Sequence, residues 1–151
     1  LRLDRRGRLR VRGERAGAAG LQIRELRAAD AGRWDAFVAH CPGATFFHRA
    51  GWHTIMEQGF GHACHFLYAE QDGRITGVLP LARVKSFLFG NSLTSLPFAV
   101  YGGVAAVDDA SAQALEAEAQ RLARELGVQH LELRHIEQRH TDWPVQDLYV
   151  T

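Results

Sequence analysis

Cysteine is scarce in this chain: Cys41 and Cys64 are the two thiols among 151 residues. That scarcity excludes a disulfide-stapled secreted scaffold, and without a secretory signal the expectation is reduced, unpaired thiols in a cytoplasmic protein. No run approaches the roughly 18 uninterrupted apolar residues that a membrane span needs. Strong net charge is missing as well, at +1 for the whole chain. That balance hides an asymmetry, because residues 1–20 carry seven Arg against Asp4 and Glu14, a net +5, while residues 21–151 carry −4. A mildly acidic folded part argues against a DNA-binding or membrane-surface module, since phosphate binding needs clustered positive charge. The basic segment lacks aromatics and an apolar h-region, so it reads as a disordered leader and not as a signal peptide.

What remains is ordinary globular material, 46% hydrophobic and 23% charged. Its length fits one core, burying roughly 68–70% of the unfolded surface. A start at Leu1 and an end inside the strand-like run Asp147–Thr151 read as a fragment of a longer protein.

Hydrophobic periodicity then predicts the elements. Leu21–Leu26 alternates as a first strand, and Asp30 is placed to cap a helix with Trp34, Phe37 and Val38 on one face. Cys41-Pro42-Gly43 stops that helix. A second short helix is expected from Arg49 to Gln58, with Trp52, Ile55 and Met56 on one side and Gly59 and Gly61 closing it. Two strands, Cys64–Glu70 and Arg74–Lys85, flank Asp72-Gly73, a strong hairpin signal that makes the pair antiparallel. Ser86–Val100 reads as a loop plus an extended segment. A long helix is predicted from Ser111 to Leu126, with Leu115, Ala119, Leu122 and Leu126 as its stripe and Gly127 just past its end. The last strand, Val128 to about Ile136, sends Leu131 and Leu133 one way and His130, Glu132 and Arg134 the other.

This order is α+β, and it resembles the GNAT acyltransferase fold: a mixed, largely antiparallel sheet flanked by helices. Local sequences narrow the resemblance. Ala44-Thr45-Phe46-Phe47-His48-Arg49-Ala50-Gly51-Trp52 resembles the threonine-phenylalanine-to-tryptophan motif of FemAB-type proteins. Tyr101-Gly102-Gly103 resembles their central glycine pair, and His130-Leu131-Glu132-Leu133-Arg134 their strand after the long helix. With Trp143-Pro144 and Leu148–Thr151, the set is similar to the FemAB relatives associated with exosortase and PEP-CTERM systems. The resemblance spans residues 21–151 and implies the first of two tandem GNAT-like domains. It implies acyl or aminoacyl transfer to an amine acceptor, from aminoacyl-tRNA or acyl-CoA, with a small-molecule or envelope-precursor acceptor linked to exopolysaccharide. It implies a cytoplasmic location that can include the periphery of the inner membrane.

A GNAT domain that uses acyl-CoA holds the pyrophosphate on backbone N–H groups at the start of its long helix. Here that turn, Val104 to Ser111, has no glycine and places Asp108 and Asp109 where an anion should sit, so no cofactor bound by this domain is expected. Two other readings stand beside the FemAB one: a stand-alone N-acetyltransferase using acetyl-CoA, and a catalytically silent GNAT-like interaction module. Gly102-Gly103 reads either as a place where a ligand meets backbone donors or as a tight strand exit, with Tyr101 beside it. Glu132 and Arg134 read either as the lining of an anion-binding cleft or as an ion pair. His48, Arg49 and Trp52 are rim candidates for the acceptor, although Phe46, Phe47 and Trp52 also read as core. No metal site is expected, because His62, Cys64 and His65 lack zinc-type spacing, and Cys64 reads as an inert thiol. No general base stands out.

Overall fold

The structure, a computed structural model, describes residues 20–87, 90–135, 139 and 141–144. The expectations for the leader through residue 19, for Ile136 and for the run Asp147–Thr151 fall outside the described residues. Strands β1 (Gln22–Glu25), β2 (Ala63–Gln71) and β3 (Arg74–Ser86) pair antiparallel in sequence. Strand β4 (Gly90–Ser95) continues the antiparallel series on β3, and β6 (His130–Glu132) lies parallel to β4. A two-residue strand β5 (Ala105–Ala106) returns to the same partner, β3, beyond β4. Helices α1 (Ala31–His40) and α2 (Gly51–Thr54) follow β1, and α3 (Asp109–Glu125) connects β5 to β6. A six-stranded mixed sheet flanked by helices is thus the architecture.

The alternation of β2 and β3 divides the core. Phe66, Tyr68, Val78 and Ala82 join Trp34, Val38 and Met56 in one cluster. Leu67, Ala69, Leu79 and Leu81 face Leu115 and Ala119 of α3 in the other. The period of two sends neighbouring residues to opposite faces, so one strand feeds both layers. Between β2 and β3 the two turn residues Asp72 and Gly73 have φ of 51° and 76°, the left-handed pair that a tight hairpin requires.

Several local expectations are corrected. Asp30 precedes α1 but its side chain caps no backbone N–H; its carboxylate instead accepts from Arg33 at 3.2 Å. The second helix is not one regular element: a 3-10 turn at Phe46–His48 precedes α2, and a π turn spans Ile55–Gly59. The wider π turn breaks the 3.6-residue stripe, so Met56 is fully buried while Ile55 is exposed. Phe46, expected in the core, is 71% exposed. The last strand is also shorter than expected. Its neighbour β4 ends at Ser95, where Leu96 takes a φ of 43°, and among the described residues no strand partner continues the ladder past Glu132.

Candidate functional site

β4 and β6 are the parallel pair of the sheet, and the space beyond the carboxyl ends of parallel strands is where open sheets place ligands. Three separate segments meet there. The amide of Arg134 donates to the hydroxyl of Ser95 at 2.7 Å, and the carbonyl of Arg134 accepts from the amides of Gly102 and Gly103 at 3.2 and 2.9 Å. The hydroxyl of Thr45 reaches the carbonyl of Tyr101 at 3.4 Å, and His48 Nε2 lies 2.8 Å from the carbonyl of Gly103.

These bonds define the tautomer of His48. The amide of Thr45 donates to His48 Nδ1 at 3.0 Å, so Nδ1 carries the lone pair and Nε2–H donates to Gly103. The ring is buried, and burial holds its pKa below the ordinary histidine value against the opposing pull of the two backbone bonds. The carbonyl of His48 accepts from the indole of Trp34 at 2.6 Å, which ties the knot to α1. His48 therefore acts as a neutral strut.

Gly102 and Gly103 are needed for close approach. A Cβ on Gly103 would stand 2.9 Å from the carbonyl oxygen of Arg134 and 2.5 Å from His135 Nδ1. One on Gly102 would stand 2.8 Å from Leu96 Cβ. Both amides are directed at Arg134, which is the role of a tight strand exit. Tyr101 is half-buried beside them.

Glu132 and Arg134 are brought together as an ion pair, with Arg134 Nε 2.7 Å from Glu132 Oε1. The pair joins the last residue of β6 to a residue just past its end, and not two neighbouring strands. Arg134 also donates through one terminal nitrogen to the carbonyl of Ala99 at 2.8 Å, so two of its three nitrogens are committed inside the protein. Arg49 is exposed at the end of the 3-10 turn, while Trp52 packs its ring against Phe46 and Phe47 and donates its indole N–H to the carbonyl of Phe46 at 3.2 Å.

At the start of α3, the carboxylate of Asp108 accepts from the amide of Ser111 at 2.7 Å, and the amide of Val107 donates to the carbonyl of Thr76 at 2.9 Å. The donors that a phosphate would use are partly spent, and Asp109 stands exposed beside them. On the inner face of the same helix, Glu116 is 2% exposed and accepts from Arg139 at 2.8 Å, with His135 Nε2 3.7 Å away. An acid among Ala112, Leu115 and Ala119 on the apolar stripe was a readable signal that sequence reasoning passed over.

A second locus lies on the α1 and α2 side. His53, Glu57 and Cys64 bring one ligand-type atom each to within 4.8 Å of one another. His53 also lines a cavity of about 430 Å³ with Leu26, Ala31, Asp35, Ala50 and Thr54. His62 and His65, singled out with Cys64 in the sequence, go elsewhere: His62 stacks with Phe60 and Phe98, and His65 pairs with Glu25.

No family model matches the chain, and no curated protein matches it. Solved structures do. A GNAT family acetyltransferase of Staphylococcus aureus is similar over 87% of this chain and 98% of its own, with a TM-score of 0.56 at 9% identity. A ribosomal-protein-alanine N-acetyltransferase of Brucella melitensis biovar Abortus matches over 87% and 99%, with a TM-score of 0.54 at 16% identity. A GNAT family acetyltransferase of Brucella melitensis, solved in complex with acetyl-CoA, matches over 74% and 73%, with a TM-score of 0.50 at 18% identity. The fold is that of the GNAT acetyltransferases. Among the described residues no helix is long and apolar enough to cross a membrane.

Proposed function

We propose that this chain is the acceptor-binding GNAT-like domain of a FemAB-type acyl- or aminoacyltransferase, in which a second GNAT-like domain of the same parent chain supplies much of the donor site. The acceptor is an amine of the cell-envelope or exopolysaccharide class. The observation that carries this reading is the acidic turn ahead of α3, where Asp108 takes the Ser111 amide and Asp109, 3.8 Å from Arg139, adds a second carboxylate. An anion placed there meets repulsion where a CoA-using domain offers donors. The convergence of the Thr45–His48, Tyr101–Gly103 and Glu132–Arg134 segments in one knot supports treating the FemAB-like motifs as a single unit.

In this reading the knot shapes the acceptor side. The remaining terminal nitrogen of Arg134 offers one charge-assisted contact to a phosphate or carboxylate of the acceptor, with Tyr101 on the neighbouring segment. It does not offer a two-pronged fork, because Nε and the other terminal nitrogen are held by Glu132 and Ala99. Fold alone does not confer activity, so the donor question is settled by titration.

Acetyl-CoA at millimolar concentration is expected to leave the melting temperature unchanged. A ligand at a hundredfold excess over its dissociation constant would add about 2.7 kcal/mol, which a thermal shift registers. A saturable shift overturns the proposal in favour of the stand-alone N-acetyltransferase. In the parent chain, Arg134→Ala is expected to cut transfer by roughly tenfold to a hundredfold, the worth of one charge-assisted hydrogen bond, with Arg134→Lys recovering part of it. Transfer unchanged in both variants places the acceptor elsewhere.

A further inference from the structure

His53 and Glu57 are four residues apart on the α2 segment and the π turn that follows it, so both point from one side of this element. π turns occur often at functional sites. Cys64 approaches them from the start of β2, where it is buried against the core. Nδ1 of His53 lies 3.5 Å from Oε2 of Glu57. That separation is too long for a good hydrogen bond, and it is close to the edge of a tetrahedron built on metal–nitrogen and metal–oxygen bonds of about 2.1 Å, roughly 3.4 Å. All three ligand-type atoms fall within 4.8 Å of one another.

We propose that His53, Glu57 and Cys64 form a three-ligand site for a divalent ion of the zinc type. Imidazole, carboxylate and thiolate together suit zinc, and three protein ligands leave a fourth position to water or to a substrate atom. His53 and Glu57 are partly open to solvent, and His53 borders the cavity beside α1. Without an ion, burial and the nearby Glu57 carboxylate push the Cys64 thiol up to about 12. A divalent cation reverses that balance: the Sγ–H bond breaks, the proton leaves to solvent, and the sulfur lone pair forms the bond to the metal. The site is independent of the acyl-transfer reading, which places the acceptor at the other locus.

The test uses the full chain, cobalt(II) as a spectroscopic probe and zinc(II) as competitor. Cobalt is expected to bind with one equivalent, to give a sulfur-to-cobalt charge-transfer band, and to be displaced by zinc. Cys64→Ser should abolish the band and Cys41→Ser should keep it. His53→Gln and Glu57→Gln, at positions partly open to solvent, should each weaken binding by more than the roughly 10–100-fold that loss of a partner behind a metal ligand costs. These two variants test the site even if Cys64→Ser fails to fold. The proposal is overturned if saturating cobalt gives no thiolate band, or if the band and the affinity survive both His53→Gln and Glu57→Gln.

Discussion

The two faces of the sheet are built from the same strands yet do different work. The face under α3 is aliphatic, with Leu67, Leu79, Leu81, Leu93, Leu115 and Ala119 packed together. The opposite face holds Trp34, Phe66 and Tyr68 in ring contact, the buried His48, and the His53, Glu57 and Cys64 cluster. Aliphatic side chains ask only for volume, and α3 satisfies them with one amphipathic stripe. Aromatic and polar side chains ask for partners as well, so short irregular segments join the ten-residue α1 on that side. Candidate chemistry collects where packing needs hydrogen bonds to close, as Glu116 with Arg139 does at one point of the α3 face.

Truncation separates the faces most strongly. Leu115→Ala should cost about 2–5 kcal/mol, as a buried leucine deletion does, and lower the melting temperature without touching the knot. Trp34→Phe should cost about 1–3 kcal/mol, because it strands the carbonyl of His48, and it should also alter the His48 ring signals in an NMR spectrum. If both variants lose equal stability and the His48 ring is unmoved, the faces are energetically alike.

Glycine substitutions sharpen the contrast. Gly103→Ala drives a methyl against the carbonyl of Arg134, and Gly77→Ala drives one to 2.9 Å from Leu115 Cδ1 and 3.0 Å from Ala106 Cβ. A leucine tip gives way more readily than backbone, so Gly103→Ala should be the costlier at about 1–3 kcal/mol, read by denaturant midpoint. The reverse order would show that the knot is slack.

The smallest effect is pH dependence. Burial lowers the pKa of His48, so the unfolded chain takes up this proton first as the solution is acidified. The stability contributed by the neutral ring is therefore present above about pH 6.5, the unfolded value, and is lost as pH falls through the lower folded value. His48→Gln keeps a donor for Gly103 and removes the titration. The melting temperature of the variant should fall less than that of the unaltered chain between pH 7 and pH 5, and equal slopes would reassign the effect to other groups.

Much of the fold was legible because it rests on local rules. The hairpin at Asp72-Gly73, the stripe of α3 and the halt at Gly127 follow from turn chemistry and periodicity, and Gly127 has the expected φ of 60°. The candidate site was legible by segment and not by contact. Tyr101, Gly102, Gly103, Arg134 and His48 were all singled out, yet nothing in their spacing says that Gly103 accepts from His48 or that Arg134 spends two nitrogens on its neighbours. His53 and Glu57 were missed because four-residue spacing is common on any helix, and the third partner, Cys64, sits on another element.

By itself the sequence determined the alternation of β2 and β3, the amphipathic face of α3 and the carboxylates at its start, since each depends on residues a few positions apart. The tertiary structure decided which end of β6 is paired, which tautomer His48 adopts and which side chains meet Cys64. Those outcomes depend on residues 7 to 55 positions apart, whose approach is set by the packing of both faces and not by any local preference.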